Sequence, residues 1–316
     1  LEYYKKKMMS TNPLWIHITD VFNDKIRKRN VVEKLVELND DENISRELDY
    51  KLEDNFHAIR RIKDREFKEQ EVPTEATIKE AIDIFYIVNA AGVNLTDAEL
   101  ALAQISGYWP EARVLFKVKL KKLSESGFVF KLDFIIYVLL GIIHNVGSKM
   151  EKLHDNSNND KIREVWKKLD EEILDYVFNI LKSQAFIDHT KEVNSVYAFV
   201  PILLYSYKKG VNNLTQIEIK KMVKWFYYSQ IRYRYISQLP QKLDKDLTII
   251  INEENPFDKL LNLIALERNL EITANEFEGV GILHPLWGLM KFYFKSNNAV
   301  CLTTGIHIRK NMGKKY

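Results

Sequence analysis

Residues 84–103 read IFYIVNAAGVNLTDAELALA, and the fold turns on how this run divides. Ile84, Phe85, Ile87 and Val88 form an apolar stripe at helical spacing that stops at Asn89. Asn89 and Gly92 are residue types that adopt positive φ at low cost, so either can end a helix here. Thr96 then stands as an N-cap with Glu99 three residues on, the spacing of a capping box. Leu95 and Leu100 have the spacing of a hydrophobic staple. The run predicts two helices meeting at a corner.

Three uses suit such a corner: reading DNA, cradling a phosphate, or bending the chain. A recognition helix needs Arg, Lys, Asn or Gln near its start. TDAELALAQ opens instead with Asp97 and Glu99, which repel phosphates. The same two acids occupy the positive helix end that a cradled anion would use. A structural αα-corner is the reading the residues favour.

Outward from the corner, helical periodicity dominates. Apolar positions including Val32, Leu35, Val36, Leu52, Phe56, Ile59 and Ile62 recur at helical steps between residues 22 and 66, with a turn at NDDEN. Thr74 or Thr77 can cap a helix over 75–90. Further helices are expected over 96–106, 109–125, 129–146, 161–184, 192–208, 214–237, 242–252, 256–267 and 284–294. Pro201 lies within one of them and predicts a kink. HDNSNND at 154–160 is the most polar stretch and reads as a hinge or boundary. The fold class is mainly α and multi-helical, with at most a short β element near residues 13–18 and 65–72.

Composition agrees with a globular helical chain. It has 316 residues, 46% hydrophobic and 29% charged, with only 11 Gly and 7 Pro. A net charge of +3 does not by itself imply a nucleic-acid partner. The run Lys25–Arg29 reads as a solvated helix face. A single cysteine, Cys301, excludes an intrachain disulfide framework and reads as a buried, inert thiol. Phe134–Ile143 is apolar but too short to span a bilayer, so a core helix and no membrane role are expected. LEYYKKKMMS lacks an apolar leader segment, and a cytoplasmic location is expected. The chain starts with Leu rather than Met, which leads us to expect a fragment.

Reactive constellations are scarce. The seven histidines include no i, i+4 pair, and His154-Asp155 stands without a supporting His, so neither catalytic residues nor metal ligands are expected in this chain. His144 reads as a C-terminal cap. Asp244 and Asp246 diverge at i, i+2 and suit a helix start after Pro240. QIRYRYISQLPQK at 230–242 mixes charge with rings that can stack on bases. Arg232, Arg234, Tyr235, Lys242 and Lys245 are therefore the nucleic-acid-binding candidates, although Trp225, Phe226 and Ile231 require part of this helix for the core.

The corner resembles the signature Ile-Phe-x-Arg-x-Asn-x-x-Gly-x-x-Leu-Ser/Thr-x-x-Glu-Leu of GmrSD-type modification-dependent restriction endonucleases, with Ile87 where the family usually has Arg. Residues 224–247 are similar to that family's Trp-Phe, Arg-Tyr and Leu-Asp-x-Asp-Leu segment through Trp225, Phe226, Arg234, Tyr235, Leu243, Asp244, Asp246 and Leu247. The ending IRKNMGKKY looks like the lead-in to an HNH nuclease segment. The resemblance implies the rear of a ParB-like domain over 1–106 and a helical domain over 107–316, with Asn89 and Gly92 near a nucleotide. The family's Asp-Gly-Gln-Gln-Arg motif and HNH ligands do not occur in this sequence. The expected role is thus a helical scaffold of a restriction protein defending against modified foreign DNA. It would touch duplex DNA through the backbone and form homo-oligomers. The parent would use a nucleoside triphosphate and a divalent metal, while this chain alone would be inactive and hold no cofactor. The alternative is a non-catalytic helical interaction or structural module with no nucleic-acid role.

Overall fold

The computed structural model describes residues 15–39, 44–66, 69, 71–77, 80–81, 84, 87, 96–154 and 158–308. Its contacts divide the chain into two compact units, Leu1–Glu71 and Val72–Tyr316. The division expected at 106/107 instead falls inside a helix.

In the first unit, α1 (Ile18–Phe22) and α2 (Lys28–Asn39) pack on α3 (Arg46–Arg60). Ser45 caps α3 by accepting from the Leu48 amide at 3.3 Å. Val21, Val31 and Phe56 form the small core, with Leu35, Leu52 and Ile59 packed against it. The buried face is phased on Val31 rather than Val32, and Ile62, expected in the core, is exposed. Two residues of the basic run are paired: Lys28 with Asp49 and Glu53 at 2.8 Å each, and Arg29 with Glu33. Residues 15–17 are irregular rather than extended in a sheet, and so are 65, 66, 69, 71 and 72.

In the second unit, Thr77 rather than Thr74 makes the capping contacts: Glu80 accepts from its amide and returns an N–H to its hydroxyl. Residues 80, 81, 84 and 87 are helical. Then follow α4 (Asp97–Tyr108), α5 (Ala112–Glu125), α6 (Leu132–His144), α7 (Asn159–Lys168), α8 (Leu174–Gln184), α9 (Phe199–Lys209), α10 (Gln216–Ile231), α11 (Leu239–Asn252), α12 (Pro256–Glu267) and α13 (Pro285–Ser296). Among the described residues there is no sheet, only an isolated bridge between Val300 and His307. The mainly α fold read from periodicity is the fold observed.

α6 is the hub. Phe134–Ile136 and Val138–Ile143 are buried, because helices pack on it from several sides. Gly141 permits close approach: a Cβ there would sit 3.2 Å from Val200 of α9 and 3.3 Å from Leu247 of α11. Asn145, at φ 58°, is the residue that ends α6, with His144 in the last turn before it. α9 is preceded by a short 3₁₀ turn, Val196–Ala198, so Pro201 lies in its first turn. There a missing N–H costs nothing, and the expected kink is replaced by a helix start. The single helix expected over 161–184 is α7 and α8 joined by a π turn, Leu169–Ile173. Buried Lys119 of α5 donates to the Asp170 carbonyl in that turn and pairs with Asp170 and Asp175. No helix among the described residues is long and apolar enough to cross a membrane.

Candidate functional site

The sequence candidates converge on the turn between α10 and α11. Thr215 and Glu218 close a capping box that starts α10, and the helix buries Trp225, Phe226, Tyr227 and Ile231. Phe226 stacks on Phe199 at 5.3 Å between ring centroids, and Trp225 meets Phe257 at 5.7 Å. The core role expected of Trp225, Phe226 and Ile231 is therefore observed. After Ile231 the chain turns through Tyr233 at φ 54° and Gln238 at φ 53°, left-handed conformations uncommon for these residues. The turn is what redirects the next side chains.

Arg234 and Tyr235 point inward, not toward a surface where they could meet DNA. Arg234 Nε donates to Asp246 Oδ2 at 3.1 Å, Nη2 to Oδ1 at 2.7 Å and Nη1 to Glu267 at 2.8 Å. The Tyr235 hydroxyl donates to the same Asp246 carboxylate. Arg234, Tyr235 and Asp246 are all buried. Burial pushes the Asp246 carboxyl up, against the donated bonds and charge of Arg234 and the Tyr235 hydroxyl. Burial alone weakens the Arg234 charge, but the bond and attraction from Asp246 raise it, so the guanidinium stays protonated. Desolvation, then the Asp246 charge, drive the Tyr235 hydroxyl well above its ordinary range. These groups bond to one another rather than to solvent, as a structural lock requires.

Arg232 is spent in the same manner, forked onto the Glu276 carboxylate and bonded to the Glu271 carbonyl. Glu276 also accepts from the Thr273 amide at 3.0 Å, so the capping box formed by these two residues doubles as an anchor for Arg232. The Tyr233 hydroxyl lies 2.6 Å from His284 Nε2. His284 Nδ1 accepts from the Leu286 amide at the start of α13, so the neutral ring carries its proton on Nε2 and donates to Tyr233. Lys242 sits 4.0 Å from Glu267. Lys245 is exposed and has no ion pair among the described residues. Of the five nucleic-acid candidates, Lys245 alone presents a side chain that is both exposed and uncommitted among those residues.

Asp244 and Asp246 diverge as their spacing predicts, but neither serves as a helix-start charge. Asp244 accepts from the Gly147 amide at 2.6 Å, from the Ser148 amide at 3.0 Å and from the Ser148 hydroxyl, tying α11 to the loop after α6. At the corner, Glu99 accepts from the Thr96 amide at 2.8 Å and returns its own N–H to the Thr96 hydroxyl at 3.2 Å. The bonds donated by the Thr96 amide and hydroxyl hold the Glu99 carboxyl below its ordinary range. The positive end of α4 is thus filled by the chain's own carboxylate. Asn89 and Gly92, together with Phe85, Val88 and Leu95, lie outside the described residues, as does Asp155 beside His154.

Cys301 is not the buried thiol expected. It is partly exposed, and hydrogen bonds from the Thr304 hydroxyl and amide and the Thr303 amide lower it to about 7. Among the described residues no group of three or more His, Cys, Asp or Glu is arranged to hold a metal ion. Glu267 and His284 escaped the sequence reading: they lie 33 and 51 residues from their partners, and no local pattern marks them. No protein-family model matches the sequence, and no curated protein matches it.

Proposed function

We propose that this chain is a non-catalytic helical module that acts by presenting rigid surfaces to other macromolecules. The observation that carries this reading is the commitment of the charged and titratable groups around the turn between α10 and α11. Arg232, Arg234, Asp244, Asp246 and Tyr235 each hold one helix or loop to another. A general acid or base needs a proton that a substrate can reach, and these groups spend theirs on bonds within the fold. A surface suited to docking lies on α5. Val114, Leu115 and Val118 are exposed side by side at helical spacing, among exposed Arg113, Lys117, Lys121 and Lys122. An exposed apolar stripe of that kind supports an interaction role.

Light scattering across protein concentration, on the chain and on V114D/V118D, tests the reading together with an assay for nucleotide and DNA hydrolysis in the presence of Mg²⁺. The expected result is no turnover, with any self-association weakened by the double variant. Robust hydrolysis that survives purification would overturn the proposal.

A second reading keeps the resemblance to GmrSD-type restriction proteins, with the chain as the scaffold between a nucleotide-dependent domain and a nuclease, in the cytoplasm. It is favoured by one observation: of the residues that carry the second motif, Trp225, Phe226, Arg234, Tyr235, Leu243, Asp246 and Leu247 are buried framework residues, and half-buried Asp244 ties α11 to the loop after α6. A shared framework is what related scaffolds would retain. Filter binding to duplex DNA at low and high salt separates the readings. A scaffold touching phosphates loses affinity as salt rises, because binding releases counterions; absence of binding at low salt counts against it.

A further inference from the structure

A cleft of about 500 Å³ opens between α8, α10 and α13. Its walls are Phe186, Val223, Leu289 and Phe292, and Lys220 and Lys224 stand at its edge; no carboxylate lines it. The volume falls within the range of about 300–1,000 Å³ usual for small-molecule sites.

The cleft is built rather than incidental. Tyr227 stands between its flanks, with its hydroxyl donating to the Ala185 carbonyl at 2.6 Å and lying 3.2 Å from the Gly288 carbonyl, which fixes the end of α8 against α13. Lys291 of α13 pairs with Glu192 and braces the same helix from the other side. Phe186 is held at φ 55°, a conformation that a bulky residue rarely adopts. That conformation sets its ring 5.9 Å from Phe292, which lies 5.4 Å from Tyr227. Strained backbone of this kind clusters at ligand clamps.

The charge at the edge says what the cleft suits. Lys220 and Lys224 are one helical turn apart, both are exposed, and neither pairs with a carboxylate among the described residues. Lys221 between them, by contrast, is paired with Asp258 at 2.6 Å. We propose that the cleft binds an amphipathic monocarboxylate, its apolar body against Phe186, Val223, Leu289 and Phe292 and its carboxylate between Lys220 and Lys224. Apolar walls supply the driving force, and the two cations select an anionic head over a neutral one. This site stands apart from the scaffold role and does not depend on it.

Isothermal titration of the full chain with dodecanoate, below its micellar concentration, is the test, with dodecanol as the neutral control. Saturable binding is expected for dodecanoate. Binding is expected to be about tenfold weaker for dodecanol and for K220E/K224E, since two exposed charge contacts are lost or reversed. L289W, which fills the cleft, should abolish binding. The lysine pair is exposed, so its variant reports even where L289W fails to fold. No saturable binding by the unaltered chain would overturn the proposal, as would undiminished affinity in K220E/K224E or in folded L289W. Equal affinity for dodecanol would remove the anionic head from it.

Discussion

At Asp246 one carboxylate serves both Arg234 and Tyr235, and all three are buried. Removing one member of such a set leaves the others desolvated and unpaired. Asp246→Ala should cost about 3–5 kcal/mol, read as a fall in the urea midpoint. Replacing all three with apolar residues of similar volume (R234M/Y235F/D246L) should cost far less, because no buried charge is then stranded. A midpoint equally low in both variants would mean that packing, not charge pairing, dominates there. Glu218 behaves differently. Burial would raise its carboxyl, but bonds from Lys209, Tyr205 and Thr215 outweigh that and lower it from 4.5 to about 2. A carboxyl with a lower pKa folded than unfolded stabilises the fold fully above its unfolded value. That contribution is lost as pH falls from 4.5 through about 2. Glu218→Gln should therefore destabilise the protein at pH 6 and converge on the unaltered chain at the acid end of that window, as urea unfolding across pH can check. A constant gap between the two would reject this account.

Among the elements, the loop after α6 meets α11 at close range. A Cβ on Gly147 would lie 2.1 Å from Leu243 Cβ and 3.1 Å from the Pro240 carbonyl. The Gly147 amide also anchors Asp244. Gly147→Ala must push the loop off α11 and lengthen that bond, so a loss of about 1–3 kcal/mol is expected from overpacking. Thermal unfolding will read it, and an unchanged midpoint would show that the loop yields without cost. Element ends followed local chemistry closely: the box at Thr96 forms at the spacing the sequence announces, and boxes of the same spacing form at Thr215 and Thr273. Interiors were less legible. The π turn at Leu169–Ile173 and the early exit from α10 at Ile231 depend on partners elsewhere, Lys119 for the first and Asp246 for the second.

At the scale of the molecule, the two compact units differ in the size of their cores. Leu1–Glu71 rests on Val21, Val31 and Phe56 with a few partly buried neighbours, whereas Val72–Tyr316 has one continuous core running from Ala98 to Leu286. Little buried apolar surface means low local stability. Amide hydrogen exchange should be fast in α1–α3 and slowest in α6, α9 and α10, reaching the global limit only there. Equal protection in α3 and α6 would contradict this.

The sequence by itself determined the helical fold class, the capped helix starts and the burial of Phe134–Ile136, Val138–Ile143, Trp225 and Phe226. These follow from apolar spacing and from side chains that bond to backbone within one turn. Tertiary structure alone decided what Arg232, Arg234, Tyr235 and the two aspartates do. A basic, aromatic stretch reads the same whether it faces DNA or a buried carboxylate. The choice rests on positive φ at Tyr233 and Gln238 and on Glu267, Glu276 and His284 arriving from distant helices. Desolvation makes those pairings obligatory once formed, but nothing local announces them.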